Sequence, residues 1–298
     1  MPASESEDFR CNCYRLKMKM KMKMNKNTRE NIKIIIAAHK PYAMPEDEIY
    51  LPVQVGSQGK ESIGFQRDDE GNNISAKNPS FCELTGLYWA WKNLSCDYLG
   101  LAHYRRHFTV KVRKSSDKNK TAEEKMKDVL HTDEVEKLTM QYPIILPRKR
   151  NYYIETLYSH YAHSHYAVHL DVTREIIRER HPEYLAAFNA VMKQSSGYMF
   201  NMYIMRKDLS DQYCEWLFDI LFELEKRMEG SELSAFQGRF YGRVSEIIFN
   251  VWLKYQVENN GYQTKEIGCM HMEPVDWWKK GGAFLKAKFL HQKYKGSF

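Results

Sequence analysis

Two short apolar runs with an amphipathic segment between them constrain the fold of this 298-residue chain. Residues 32–39 and 98–104 are rich in Ile, Leu and Ala, which is typical of buried strands. Between them, residues 81–93 place large apolar side chains three to four positions apart, the spacing of one face of a helix. The order strand, helix, strand is that of a βαβ unit and therefore predicts an α/β fold with a parallel sheet.

The rest of the chain extends this pattern. Residues 143–147 and 202–205 indicate further strands, whereas Pro, Gly, Asp and Asn predict a long loop at residues 45–79 and charged residues predict another at 111–128. We therefore expect one α/β domain with a mostly parallel central sheet and a helix-rich C-terminal half. Helices are expected at about residues 132–140, 154–166, 171–179, 182–193, 208–228 and 240–258.

The two ends of the chain differ from the body. Residues 1–30 are polar, and Lys alternates with Met from residue 17 to 24, so we expect a disordered leader; a strand or a segment on an anionic bilayer are the alternatives. The folded domain is expected to span residues 31–260. Residues 261–298 form a basic, aromatic tail that either lies at a membrane interface or packs on the domain as a helix.

Composition restricts the partners without choosing among them. A net charge of +7 is equally compatible with a sugar nucleotide, an anionic membrane surface or a nucleic acid. No nucleic-acid-binding module is recognisable, so we expect no nucleic-acid partner. The six cysteines form no C-x-x-C pair, and no signal peptide or run of 18 apolar residues occurs. We therefore expect a cytoplasmic protein, with peripheral contact at the inner face of the cytoplasmic membrane as an option.

The sequence His103-Tyr104-Arg105-Arg106 lies at the end of the second apolar run. In many sugar-nucleotide transferases a strand at this point ends in two aspartates that hold a divalent metal against the diphosphate. Here guanidinium groups, which bind phosphate oxygens in a bidentate manner, replace them. We predict that Arg105 and Arg106, helped by His103, stabilise a departing nucleoside diphosphate without a metal. The alternative is that one arginine forms a structural salt bridge and the other is exposed.

Sugar transfer with inversion also requires a general base for the acceptor hydroxyl. The candidate carboxylates are Asp68, Asp69, Glu83 and Glu246. No metal site is expected, because no carboxylate or cysteine at ligand spacing completes the histidine cluster between residues 160 and 169. The chain also lacks a G-x-S-x-G motif, a P-loop and a G-x-G-x-x-G motif, which argues against serine hydrolases, kinases and dehydrogenases.

Several blocks of this sequence resemble the bacterial capsular and exopolysaccharide glycosyltransferases long catalogued as a domain of unknown function, a family that includes galactofuranosyltransferases. The resemblance covers residues 33–253 and departs from the family at Arg243, where an apolar residue is expected, a change that bears on acceptor preference. It rests on residues 48–56, 73–79, 82–93, 100–106, 147–152 and 200–205 and on Gln237, Arg239, Gly242, Ser245 and Glu246.

The resemblance implies a GT-A-like transferase that uses a UDP-sugar donor, UDP-galactofuranose or a related hexose, and a lipid-linked oligosaccharide acceptor. From the residues themselves we expect no cofactor and no divalent metal. We expect Glu83 or Glu246 to act as the base or to bind an acceptor hydroxyl, with Arg105 and Arg106 in catalysis. The donor is expected to contact Ala38, His39, Asn73, Lys77, Asn78, His103, Tyr104, Arg105 and Arg106, and the acceptor Arg150, Asn201 and Arg239.

A protein of another class fits part of the sequence. A non-catalytic carbohydrate- or membrane-binding accessory protein of a polysaccharide assembly complex would use the basic aromatic tail as its binding element. Binding of UDP, measured by calorimetry, distinguishes this alternative from the transferase.

Overall fold

The computed structural model describes residues 29–112, 120–230 and 233–273 together with Lys288. The chain divides into two units, Met1–Asn31 and Ile32–Phe298, and the elements below belong to the second. The Lys/Met leader and the aromatic part of the tail lie outside the described residues, apart from Lys288, so their predicted roles stay predictions.

Eight of the strands in the described part of the chain belong to one sheet, and β7 and β8 form a separate pair. The order in the large sheet is β3-β2-β1-β4-β5-β10-β6-β9, and an additional pairing of β9 with β4 closes the last five strands into a ring. The strands are β1 (Ile32–Ala38), β2 (Tyr50–Gln54), β3 (Gln66–Arg67), β4 (Tyr98–His103), β5 (Arg106–Thr109), β6 (Ile144–Pro147), β7 (Arg150–Asn151), β8 (Ser196–Gly197), β9 (Tyr203–Arg206) and β10 (Thr264–His271).

The helices fill the connections and most of the second half of the chain. Short 3-10 helices occur at Ser75–Lys77, Pro182–Tyr184 and Gln237–Arg239. The α-helices are α1 (Asn78–Phe81), α2 (Leu84–Asn93), α3 (Ala122–Met126), α4 (Thr132–Thr139), α5 (Leu157–Ser164), α6 (Val168–Arg180), α7 (Leu185–Val191), α8 (Lys207–Arg227) and α9 (Phe240–Asn260).

The sheet is mixed, which corrects the expectation of a mostly parallel one. Strands β3, β2, β1 and β4 run parallel to one another, as the βαβ pattern predicts. Beyond β4 the ring is mainly antiparallel: β4 pairs with β5 and β9, β5 with β10, and β6 with β9 in this sense. Only the β6 and β10 pair of the ring is parallel. The reason is that β5 follows β4 through a tight turn, and a tight turn joins antiparallel strands.

The structure corrects the expected end of the domain, the extent of two loops and the start of one helix. Strand β10 lies in the segment assigned to the tail, so the sheet extends to His271 and not to residue 260. The expected loops at 45–79 and 111–128 contain β2, β3 and α3. The helix expected at 81–93 is present but begins at Leu84, because Cys82 has a φ of 56° and separates it from the short helix α1.

Two hydrophobic cores lie on opposite faces of the sheet. Successive side chains of a strand point to opposite faces. Accordingly, Ile35 and Leu101 join the larger core under α2, α8 and α9, while Ile34 and Ala102 join the smaller one with residues around α3 and α4. Burial on both faces explains why β1 reads as a continuous apolar run.

Within the described residues, no helix combines the length and the apolar character needed to cross a membrane.

Candidate active site

The carboxyl ends of β1 and β4 meet at one edge of the sheet, and the candidate site lies there. Ala37 is in register with His103, and the N–H of Tyr104 donates to the carbonyl of Ala37 at 3.2 Å. Strand β9 runs antiparallel to β4 and begins at Tyr203, opposite Leu101. The residues just before β9 therefore reach the same edge, where ligands of open α/β sheets usually bind.

Phe200 and Asn201, the residues before β9, adopt an unusual backbone conformation. Their φ angles are 75° and 55°, a region that costs a non-glycine residue of order 1–3 kcal/mol. In this conformation the Phe200 carbonyl lies 2.5 Å from His103 Nε2, and the Phe200 N–H donates to the carboxylate of Glu246. Asn201 Nδ2 donates to Glu83 Oε1 at 2.8 Å. One strained turn thus contacts the imidazole of His103 and two of the four candidate carboxylates, Glu83 and Glu246.

The buried amide of Asn201 connects this turn to helix α9. Its Nδ2 also donates to the Gly242 carbonyl at 3.1 Å, and its Oδ1 accepts from Ser245 Oγ at 3.0 Å. With these bonds and the one to Glu83, Asn201 positions other residues of the site. Its predicted contact with the acceptor stays a prediction.

Glu83 occupies the junction between α1 and α2. The backbone turns sharply at Cys82, and Glu83 becomes the residue that precedes α2. A carboxylate at a helix N-terminus is stabilised by the helix dipole. Helix α9 approaches this junction closely, since a Cβ at Gly242 would lie 3.2 Å from Cys82 Sγ.

Glu246, one turn along α9 from Gly242, has an unusual acidity. Burial raises its pKa to about 7, and the negative charge of Glu83 adds to the effect, whereas the positive charge of Arg106 opposes it. A carboxyl group with a pKa near the operating pH is suited to accept and release a proton, so Glu246 has the acidity of a general base.

The structure separates the two arginines that the sequence presents as a pair. Arg106 is half-buried, and its guanidinium lies 4.2 Å from the centroid of the Phe200 ring. Burial lowers its pKa, while Glu246 favours the charged form, which places Arg106 beside the carboxylates. Arg105 instead lies at the surface, where it forms an ion pair with Glu273 at 3.3 Å.

A cluster of positive charges forms a second part of the site. The exposed ring of His39 packs edge-on against Tyr104, with centroids 5.1 Å apart. Partial burial lowers the pKa of His39, and the positive charges of Lys40, Arg105, Arg239 and Lys60 lower it further. Lys40 Nζ and the Arg105 guanidinium lie 5.6 and 5.2 Å from the centroid of the same Tyr104 ring. We call these four cations with His39 the cationic rim. His39 and Arg105, both predicted to contact the donor, are thus grouped with Arg239, which was predicted to contact the acceptor; these binding roles stay predictions.

Cys82 connects the rim to the carboxylates. Arg239 Nε donates to Cys82 Sγ at 3.2 Å, next to Glu83 in the chain. Burial raises the pKa of the Cys82 thiol to about 11, so the thiol stays protonated and is a poor nucleophile. Cys82 therefore contributes a contact and not a reactive group.

The other predicted donor residues make contacts within the protein. Asn73 Nδ2 donates to the Asp69 carbonyl, Lys77 Nζ lies 2.8 Å from Glu225, and Asn78 Nδ2 donates to the Cys82 carbonyl. Donor binding by Asn73, Lys77 and Asn78 stays a prediction, and these contacts give it no support.

Ala38, for its part, is fully buried at the end of β1, and its carbonyl accepts from the N–H of Val55. Any contact of this residue with a nucleotide would have to be made by its backbone.

The two aspartates considered as bases have structural roles. Asp68 is fully buried and accepts hydrogen bonds from Ser57, Ser75 and Thr85, so it holds the loop before α1 together. Asp69 forms an ion pair with Arg67 at 2.7 Å. Glu83 and Glu246 are the two candidates that the structure places together.

The histidines between residues 160 and 169 are held by different partners. His160 Nδ1 and His163 Nδ1 both approach the carboxylate of the buried Glu155, at 2.9 and 2.5 Å. His169 Nδ1 lies 2.9 Å from the Tyr161 hydroxyl. Within the described ranges, no group of three or more His, Cys, Asp or Glu is arranged to hold a metal ion.

Comparison with known protein families identifies the family to which the chain belongs. Residues 33–258 match the family described as a domain of unknown function (DUF4422). The chain belongs to the DUF4422 family. A comparison with curated proteins found no match.

Among solved structures, the apo structure of the bifunctional glycosyltransferase WbbM is similar to this chain. The two share 30% sequence identity with a TM-score of 0.73, and the match covers 82% of this chain and 46% of the WbbM chain. The chain thus spans about half the length of that protein. The likeness connects this DUF4422 domain with a glycosyltransferase, in keeping with the resemblance read from the sequence.

Proposed function

We propose that the chain is a glycosyltransferase that moves a hexose from a UDP-sugar to a lipid-linked oligosaccharide, in the synthesis of capsule, exopolysaccharide or O-antigen. Galactofuranose is the sugar we favour, because the sequence resembles a family with galactofuranosyltransferases. Similarity to a bifunctional glycosyltransferase supports the reaction type. We further propose that the fold is a GT-A variant that keeps the parallel strands β1, β2 and β4 at the donor edge.

One observation carries the mechanism: Glu246, with a pKa raised to about 7, lies beside Glu83 and Arg106 at the edge where β1 and β4 end. Near neutral pH a large share of Glu246 is ionised and able to take the proton of an acceptor hydroxyl. The oxygen of that hydroxyl then attacks the anomeric carbon as the bond to the diphosphate breaks. Glu83, fixed by Asn201, holds an acceptor hydroxyl in place.

The cationic rim is the proposed diphosphate site. Arg105 and Arg239 provide guanidinium groups for phosphate oxygens, and Lys40 and Lys60 add positive charge to the same region. Fixed cations stabilise the charge that develops on the leaving group. We therefore propose transfer without a divalent metal, in the cytoplasm and with peripheral contact at the membrane that holds the acceptor.

The proposal is tested by incubating the protein with a panel of UDP-sugars and measuring UDP release, with and without EDTA. We expect one UDP-hexose to give UDP well above the level of a protein-free control, with release unaffected by EDTA. Loss of activity in EDTA that Mn²⁺ restores would contradict metal independence. UDP that binds without any turnover of the panel would instead favour an accessory, non-catalytic role.

The division of the two arginines gives a second test. In Arg105→Gln we expect UDP to bind about tenfold more weakly or worse, because a charged hydrogen bond to phosphate is lost. In Arg106→Gln we expect kcat to fall while UDP affinity stays within about threefold, because this side chain lies beside the carboxylates. Equal losses of UDP affinity in both variants would show that the two arginines act together on the diphosphate.

A further inference from the structure

Arg243 presents an unusual positive charge on the side of the site that faces α5. It is half-buried, its guanidinium lies 4.0 Å from the centroid of the Phe236 ring, and its Nη1 lies 3.2 Å from His165 Nδ1. Among the described residues, no carboxylate lies within ion-pair distance of it. By contrast, the arginines on the outer faces of the helices have such partners, namely Arg174, Arg178, Arg180 and Arg227.

The groups that hold Arg243 carry no compensating charge. His165 is buried, and its Nδ1 also lies 2.9 Å from Gln237 Oε1. Burial and the charge of Arg243 lower the pKa of His165 to about 3, so the imidazole is neutral at physiological pH. A guanidinium set between an aromatic ring and a neutral imidazole retains its full charge, and burial makes that charge costly without a counter-ion.

The position of Arg243 separates it from the cationic rim. It is three residues before Glu246 on α9, so both side chains lie on the same face of the helix. Burial lowers the pKa of Arg243, whereas Tyr161 of α5, Cys82 and Glu246 raise it. Arg243 Nη1 lies against His165 at the end of α5, whereas Arg239 Nε donates to Cys82 Sγ, next to Glu83 in the chain. Arg243 therefore faces α5 and not the junction before α2, and under the proposed function this face is assigned to the acceptor.

We propose that Arg243 binds an anionic group, a carboxylate or a phosphate, that the acceptor carries close to the hydroxyl to be glycosylated. This proposal rests on the proposed function and deepens it, because it assigns the acceptor to a chemical class. A uronic acid supplies a carboxylate, and a phosphorylated sugar or a lipid phosphate supplies a phosphate. Either would give the half-buried guanidinium an ion-pair partner, which no described residue provides at ion-pair distance.

Matched synthetic acceptors test the proposal by binding alone. Octyl glucoside is compared with octyl glucuronide, octyl galactoside with octyl galacturonide, and octyl glucoside with its 6-phosphate, each titrated below its micelle concentration into the full-length protein saturated with UDP. We expect at least one acidic compound to bind tenfold or more tightly than its neutral partner. Preference for the uronides indicates a carboxylate, and preference for the phosphate indicates a phosphorylated group.

Variants then locate the preference. In Arg243→Gln the acidic compound should bind within about twofold of its neutral partner, while Arg178→Gln, which removes the same charge from a surface ion pair, should keep the full preference. Equal binding of every acidic and neutral pair to the wild-type protein would overturn the proposal, and so would a preference that survives Arg243→Gln. Failure of the proposed glycosyltransferase reaction is seen separately, as absence of UDP release from every UDP-sugar.

Discussion

Two carboxylates and one guanidinium share the half-buried centre of the site, and their balance determines its chemistry. Glu83 accepts a hydrogen bond from Asn201, whereas burial and the neighbouring negative charge of Glu83 disfavour the ionised form of Glu246. Arg106 offsets part of this cost. Because the balance leaves Glu246 close to half ionised near neutral pH, small changes in pH change its charge.

Glu246→Gln tests the role of this residue in catalysis. In the wild-type protein kcat/KM should rise with pH through about 7, as the carboxyl loses its proton and becomes able to act as a base. The variant should lose this rise and be slower by about 10²- to 10⁴-fold. UDP release measured between about pH 5.5 and 8.5 checks both. A variant with the wild-type pH profile would assign the base elsewhere, with Glu83 the next candidate.

The same substitution has a consequence for stability. The pKa of Glu246 is about 7 in the folded protein, above its ordinary value of 4.5. Folding therefore takes up a proton at pH values between the two, and the free energy of unfolding falls as pH rises through this range. Glu246→Gln removes this loss, and its stability relative to wild type should rise by about 1–3 kcal/mol from about pH 4.5 to 8. Denaturant unfolding at both pH values provides the comparison.

At the residue scale the sequence identified several members of the site but not their arrangement. Glu83, Glu246 and His103 were recognised from their types and positions in the chain. The turn at Phe200 that connects them was missed, because an aromatic residue at positive φ has no sequence signal. The sequence presents Arg105 and Arg106 as a pair, but the tight turn after β4 directs Arg105 to the rim and Arg106 to the carboxylates.

At the element scale, the bounds of helices with a long periodic pattern are predicted accurately from the sequence. The helices α8 and α9 were predicted to within two residues at each end. The strands that were missed have weak patterns: Pro52 interrupts β2, β5 has four residues, and β10 mixes Lys, Glu and His with apolar residues. Strand β10 is recognisable only from its two neighbours in the sheet, which are distant in sequence.

Helix α9 approaches the junction before α2 closely, and adding a single methyl group at Gly242 tests whether this spacing matters. In Gly242→Ala the new Cβ would lie 3.2 Å from Cys82 Cβ and Sγ, which requires a shift of a few tenths of an ångström between Glu246 and Glu83. We expect kcat to fall about tenfold while UDP affinity is retained, because catalysis depends on close positioning. Alanine is the better helix former by about 1 kcal/mol, which limits any loss of stability.

Gly238→Ala is the matched control, because no atom lies within 4 Å of its new Cβ. Its kcat should equal that of the wild-type protein. If Gly242→Ala also showed the wild-type kcat, the spacing of the two helices would not determine the geometry of the carboxylates.

At the scale of the whole molecule, the chain closes its central sheet with residues from both ends. Strand β1 lies near the start of the folded unit and β10 near the end of the described residues, and β10 fills the space between β5 and β6. In addition, the N–H of Met272 donates to the Arg105 carbonyl at 3.0 Å, which fixes the turn that carries the rim arginine. Residues that the sequence assigned to a tail thus support the candidate site.

Two truncations decide how far the domain extends. A chain that stops after Asn260, the end expected from the sequence, loses β10. This exposes the unpaired edges of β5 and β6 and the apolar surface on which the buried Ile267 of β10 packs. We expect it to aggregate or to melt without a cooperative transition. A chain that stops after Glu273 keeps β10 and the Arg105 ion pair, and should melt cooperatively and bind UDP. Circular dichroism melting and calorimetry measure both properties. Cooperative melting of the shorter chain close to the full-length midpoint would show that the remaining strands close the sheet without β10.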